Sequence, residues 1–406
     1  MIGLPDGFDF TDPDLYAARV PLAEFAELRR AAPLWWNAQP NSRVPFGDDG
    51  LWVASRHEDV RAVSLDAETF SSWENGAIVR FGDDMTREQV EMQRLIMLNM
   101  DPPEHTKLRR IVSRGFTPRA IEALRDRLRE RAARIVAAAR EAGGGEFVTE
   151  VACELPLQAI AELMGVPQED RGKLFAWSNQ MLGYDDPDYH ADESDASLEL
   201  LTYATAMAEE RQKCPMNDIV TKLIEADVDG RGLTHDEFGF FVILLAVAGN
   251  ETTRNAITHG MIALLDNPEQ WELYKAERPA TAVDEIVRWS TPVTSFQRTA
   301  TRDTEVGGRP VRKGERVGLL YASANHDAEV FTDPHRFDVM RDPNPHLGFG
   351  GNGPHYCLGA NLARMEIELI FNAIADQMPG ITRTGEPRRL RSAWVNGIKE
   401  LPVRYG

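Results

Sequence analysis

The chain has 406 residues, 43% of them hydrophobic, enough for a large core, and its 64 acidic against 45 basic side chains leave a formal charge of −19. That balance argues against general binding to nucleic acid or anionic membrane, both of which need a basic footprint, while leaving room for a local basic patch. Three cysteines far apart in sequence, Cys153, Cys214 and Cys357, do not form a disulfide framework. With no basic n-region at the start and no apolar run near the ~20 residues a bilayer span needs, a cytoplasmic protein without a stable membrane anchor is expected.

In chain order, Leu51 to Ser55 has strand character. Thr117 to Glu141 predicts a helix that starts at Pro118 and turns Ile121, Leu124, Leu128, Ala132 and Ile135 to one face. The small-residue run 142–145 stops it. Leu155 to Met164, Asp170 to Met181 and Ser197 to Lys213 are expected helices, and the Asp-rich stretch Asp185 to Ser197 is expected to be an exposed loop or a mobile helix connection. Thr234 caps a further helix whose segment Phe238 to Gly249 is apolar on nearly all sides. Ala282 to Ser290 is helical. Glu305 to Val306, Pro310 to Val311 and Arg316 to Tyr321 are short strands, turned at Gly307-Gly308 and Lys313-Gly314. Mostly helix with small β-sheets (α+β), without repeats or β–α alternation, argues against a doubly wound fold. One domain over 1–406 is expected.

Three segments carry chemistry. Asn250-Glu251-Thr252-Thr253 interrupts the apolar helix. Either small Ala248 and Gly249 let a flat group approach, with Thr252 bonding a carbonyl one turn back, or the helix emerges into solvent with Arg254 pairing Glu251. Glu285 and Arg288, at i, i+3, share a helix face with apolar Ile286, Val287 and Trp289 beside them, and fit either a buried bidentate pair or an ordinary surface salt bridge. Cys357 follows a glycine-rich loop and precedes Leu358, Leu362, Met365 and Leu369 at helical spacing. Its place near a helix N-terminus should lower its pKa, and backbone amides brought close by the glycines suit a metal-bound sulfur. Gly348 to Gly353 spells G-x-G-x-x-G but lacks a preceding buried strand and a βαβ unit. Zinc would need further ligands at spacing. A nucleophilic Cys357 with His105, His259 or His355 as base stays open.

Ala248-Gly-Asn-Glu-Thr-Thr253, Glu285-x-x-Arg288 and Gly353-x-His355-x-Cys357-x-Gly359, in this order, resemble the cytochrome P450 superfamily of haem-thiolate monooxygenases. The resemblance implies a helical bundle around a buried haem b, with Cys357 as the iron ligand. Glu251 and Thr252 would relay protons to bound dioxygen, and Arg336 would be the third member of the ion pair. His105, Arg109, Arg298 and His355 match haem-propionate contacts, and Phe349 and Gly359 match the haem loop. Phe349 stands eight residues before Cys357 where most relatives have seven, so the loop should bulge.

Leu34-Trp-Trp-Asn-Ala-Gln-Pro40, Phe70-Ser-Ser-Trp-Glu-Asn75, Asp236-Glu-Phe-Gly-Phe-Phe241, Gly249-Asn-Glu-Thr-Thr-Arg-Asn255 and Ser392-Ala-Trp-Val-Asn-Gly-Ile-Lys399 are similar to actinobacterial monooxygenases that hydroxylate the terminal methyl of the cholesterol side chain. On that likeness Ile78, Val79, Phe81, Val247, Val293, Phe296 and Trp394 are expected substrate contacts, apolar as a sterol requires. Electrons would come from a separate ferredoxin and its reductase, docking near Lys107, Arg109, Arg110 and Arg114. A hydroxylase of a terpene or branched lipid, or a haem-binding sensor or carrier, are the competing functions.

Overall fold

The structure, a computed structural model, describes residues 3–82, 85–189, 195–216, 219–225 and 233–406. Its centre is the 32-residue helix His235–Asp266. Thr234 and Glu237 cap its start reciprocally, the hydroxyl accepting from Glu237 N at 3.2 Å and the carboxylate from Thr234 N at 2.9 Å. Apolar on nearly every face, it is wrapped by helices Glu154–Met164, Arg171–Leu182, Ala196–Lys213, Thr281–Ser290 and Ala360–Gln377. The largest core cluster follows this packing, drawing buried residues from Met97 through Phe241 and Phe371 to Tyr405.

The expected helices are present with ends shifted by a residue or so, except one. The helix expected over 117–141 is two, Pro118–Glu122 and Arg125–Ala142, with a break near Leu124. Its apolar positions Ile121, Leu124, Leu128, Ala132 and Ile135 are all buried.

A five-stranded sheet runs in the order Leu34–Ala38, Gly50–Ala54, Arg316–Leu320, Ser295–Ala300, Phe70–Ser71. Only the Gly50–Ala54 and Arg316–Leu320 pair is parallel. The hairpin Thr304–Val306 with Arg309–Val311 turns at Gly307 and Gly308, both at positive φ, as their spacing predicts. Strands Ser295–Ala300 and Leu34–Ala38 were not expected, because polar residues interrupt their apolar alternation.

The Asp-rich stretch is not the free loop its composition suggests. Asp186 is fully buried, accepting from Arg391 N at 2.9 Å and Lys399 Nζ at 2.9 Å, and Asp188 binds Lys399 and Arg388. Cations 200 or more positions away in the chain neutralise it, which local composition cannot reveal. Its residues 190–194 lie outside the described part.

Candidate functional site

The long helix, the cysteine loop and strand Ser295–Ala300 enclose one cavity that reaches Cys357, Thr252, Phe296 and Trp394. On the cysteine side the backbone makes the geometry. Leu347 N donates to Asn325 Oδ1 at 2.7 Å, Gly350 N to Leu347 O at 2.9 Å, and Cys357 N to Phe349 O at 2.9 Å. The extra loop residue is absorbed by Gly350, Asn352 and Gly353 at positive φ. A Cβ on Gly351 or Gly353 would lie 2.3 and 2.4 Å from atoms of Ser64, so the bulge seats on the end of helix His57–Leu65.

Phe349 still lines the cavity, its ring covered by the Arg364 guanidinium at 4.4 Å. Arg364 donates in turn to Asp284 at 2.8 Å. Sequence reading missed Arg364, although it lies only seven residues beyond Cys357, in the first turns of the helix that follows. It also missed Glu366, buried in the cavity wall, where burial raises its carboxyl well above the usual range.

Cys357 opens onto the cavity. The helix begins only at Ala360, three residues later. The N–H groups of Gly359 and Ala360 and the charges of Arg109 and Arg364 favour the thiolate, yet burial outweighs them and pushes the thiol up rather than down as expected. A coordinated cation reverses that balance, since a ligating thiol is deprotonated outright.

Around the same end stand His105, Arg109, Arg298 and His355. The two imidazoles meet at 4.2 Å between centroids, tilted by 42°. Burial first, then nearby Arg109, lowers His105 to about 4, and burial with Arg298 holds His355 well below the usual range. His105 Nδ1 is buried without a hydrogen-bond partner. Arg298 is buried and donates to Gln297 O at 2.6 Å, and Arg109 donates to Tyr356 O. Two guanidiniums and an unmet imidazole around one pocket suit an anionic group such as a carboxylate pair. Beside Cys357, a Cβ on Gly359 would meet nothing within 4 Å, leaving room for a bulky neighbour. This donor set fits a haem with its two propionates.

Thr252 lines the cavity, and its hydroxyl donates one turn back to Ala248 O at 2.8 Å. Glu251 does not line it. Its carboxylate is buried against Arg254, with Asn255 Nδ2 at 3.2 Å, and Arg254 is anchored on Asn179 at 2.9 Å. The helix therefore stays buried past Asn250 instead of entering solvent, while the Glu251–Arg254 pair forms within it. Gly249 is small chiefly for Ile160, whose Cδ1 would lie 2.3 Å from an added Cβ.

Glu285 and Arg288 form the bidentate pair at 2.7 and 2.8 Å, both side chains fully buried. The third guanidinium is Arg341, 3.1 Å from Glu285, not Arg336. Arg336 is exposed and offers only its carbonyl, to Arg288 at 3.3 Å and to Arg341 at 2.8 Å. The turn around Asp333, at positive φ, sends the chain back so that the later arginine reaches the carboxylate.

Of the expected substrate contacts, Val247, Val293, Phe296 and Trp394 line the cavity. Ile78 and Phe81 sit one layer behind, packed with Phe46 against Phe296 and Trp394. Val79 points the other way, into a core with Phe10 and Phe25.

Of the rival readings of the cysteine loop, zinc lacks a ligand set among the described residues, while of the three candidate bases for a nucleophilic cysteine His105 and His355 share the cavity with Cys357 and His259 does not. Among the described residues no group of three or more His, Cys, Asp or Glu side chains could hold a metal ion. The Nε2 of His259 is taken by Asn396 O at 2.9 Å.

The family model described as Cytochrome P450 matches residues 280–375. The chain is 67% identical over 402 residues to a steroid C26-monooxygenase of Rhodococcus jostii, covering 99% of this chain and 85% of that one. It is 44% identical over 394 residues to a methyl-branched lipid omega-hydroxylase of Mycobacterium tuberculosis, covering 94% and 90%. A cytochrome P450 of Mycobacterium marinum, solved with pseudoionone, superposes with a TM-score of 0.92 at 37% identity over 99% of both chains.

Proposed function

Because the chain belongs to the cytochrome P450 family, we propose that it hydroxylates the terminal methyl of a sterol side chain, with dioxygen and electrons from a separate ferredoxin and its reductase. The observation that carries this is the cavity wall of Val247, Val293, Phe296, Trp394 and Val395, which presents no charged group. Such a wall binds a ligand by excluding water. The steroid activity named for the Rhodococcus relative makes a sterol the best candidate.

Cys357 would ligate the iron of haem b, with His105, Arg109, Arg298 and His355 on its propionates and Phe349 and Gly359 beside it. Bound haem supplies the dioxygen activation and oxidising power that an unactivated C–H bond requires. Thr252 keeps its oxygen lone pairs for water in the cavity while its proton rests on Ala248 O. Glu251, one residue back, is held as a carboxylate by Arg254 and Asn255 away from the cavity; it would replenish that proton only after leaving Arg254 and taking one up from solvent. This pair also favours a turnover enzyme over a haem carrier, which needs no relay. Exposed Arg110 and Arg114 follow Arg109, which touches the cysteine loop, and offer the basic surface for an acidic ferredoxin.

A core that draws on residues from Met97 to Tyr405 supports one domain. No described helix is long and apolar enough to cross a membrane, which is compatible with a cytoplasmic site of action.

The reduced, carbon-monoxide-bound protein should show the red-shifted band of a thiolate-ligated haem, lost in Cys357→Ala. Cholest-4-en-3-one should shift the ferric protein from low to high spin and yield a product oxidised at the terminal methyl. If a methyl-branched fatty acid does so more tightly than the sterol, the lipid reading, favoured by the Mycobacterium relative, replaces it.

A further inference from the structure

Arg316, on the central strand Arg316–Leu320, has a fully buried side chain whose acid partner, Asp48, is 27% exposed. Burying a guanidinium is costly, and apolar replacements of buried ion pairs are often at least as stable, so its use here points to geometry rather than stability. Its Nε and Nη2 donate to the two Asp48 oxygens at 2.6 and 2.7 Å. Nη2 also reaches Gln39 Oε1 at 2.9 Å, and Nη1 reaches Gln297 Oε1 at 2.8 Å. Its flat face covers the Phe46 ring at 3.9 Å.

The two glutamines carry this order onward to the irregular stretch from Asn75 to Phe81. Gln39 Nε2 donates to Val79 O at 3.1 Å. Gln297 N donates to Ala77 O at 2.8 Å, and its Nε2 to Asn75 O at 3.2 Å. With its carbonyls held on that side, the stretch turns Val79 into the outer core and Ile78 and Phe81 onto Phe46. Phe46 and Phe81 meet at 5.6 Å, and their cluster backs Leu98, Phe296 and Trp394, which line the cavity. A continuous path of contacts thus joins one buried cation to the apolar wall, and the guanidinium itself touches no part of the cavity.

We propose that Arg316 is a positioning residue that sets the shape of this wall and with it the preference for a long, rigid ligand over a small one. The choice of a sterol as the long ligand rests on the function proposed above; the role of Arg316 does not.

The test uses the holoenzyme. Arg316→Lys keeps the charge but loses the fork and the flat face, and Phe46→Leu removes the covered ring while keeping the cation. Each is titrated optically with cholest-4-en-3-one and with imidazole, a ligand too small to need the wall. Each variant should weaken cholestenone roughly tenfold while imidazole changes less than about twofold, at unchanged haem content. Equal weakening of both ligands, as a loss of overall stability would give, overturns the proposal, as does no change in either. Should Arg316→Lys fail to fold, Phe46→Leu decides. If wild type ignores cholestenone, the sterol reading falls, and the same ratio with a methyl-branched fatty acid in its place decides for or against Arg316.

Discussion

The cysteine loop and the cavity wall around Phe296 are built on different physics. In the loop, successive backbone groups are anchored, Leu347 N on Asn325, Gly350 N on Leu347 O, Cys357 N on Phe349 O, and the Glu285–Arg288–Arg341 cluster underlies it, with Asn344 also on Glu285 at 3.1 Å. In the wall, the side chains of Val247, Phe296 and Trp394 meet their neighbours by apolar packing, and only the backbone behind them is pinned, Val293 bridging to Val395 and Thr294 N donating to Trp394 O at 2.9 Å. Hydrogen bonds fix direction, as a metal ligand requires. Dispersion and water exclusion reward any shape that fills space, so a wall can change its ligand without disturbing the chemistry.

Breaking the polar frame should cost most. Glu285→Ala leaves the buried Arg288 guanidinium, and the half-buried Arg341 beside it, without their carboxylate, and the unfolding free energy in urea should fall by about 3–5 kcal/mol. A loss below ~1 kcal/mol would mean the cluster does not hold the loop. Between frame and wall lies Thr252: Thr252→Ala should retain haem and bind sterol, yet form roughly tenfold less product per dioxygen consumed, with peroxide making up the difference. Equal coupling in mutant and wild type would remove it from the relay.

Both regions should also be acid-sensitive, since His326 lies beside Arg288 of the frame and His259 is held by Asn396 O, next to Val395 of the wall. Burial first, with Arg389 adding to it, lowers His259 from 6.5 to about 3, and burial with Arg288 lowers His326 likewise to about 3. A folded-state pKa below the unfolded one means the unfolded chain binds more protons. Stability is therefore complete above pH 6.5 and is lost as pH falls towards 3, by at most about 1.4 kcal/mol per unit for each histidine. Urea midpoints at several pH values should show this slope, and His259→Gln should make it shallower; an unchanged slope would refute the assignment. The smallest effect is expected where motif and structure part: Arg336→Ala should stay within about 0.5 kcal/mol of wild type, while Arg341→Ala should cost about 1–3 kcal/mol. The reverse ranking would restore Arg336 to the cluster.

Sequence alone determined what depends on short spacing. The i, i+3 pair of Glu285 and Arg288, the Thr252 bond one turn back, the Thr234 cap, the Gly307-Gly308 hairpin and the helix after Cys357 all follow from local backbone geometry, and the order of the motifs announced the family. Tertiary structure decided whatever needed a partner from far along the chain. Arg341 takes the place expected for Arg336 because a turn returns the chain there. Asp186 is buried because Lys399 and Arg391 come to it. Val79 leaves the wall that Ile78 supports because Gln39 and Arg316 hold its carbonyl. The pKa of Cys357 rises where a helix N-terminus alone would lower it, because burial is a property of the whole fold. A local pattern names the group and its near neighbours; long-range packing chooses its counter-charge, its burial and the face it turns to the substrate.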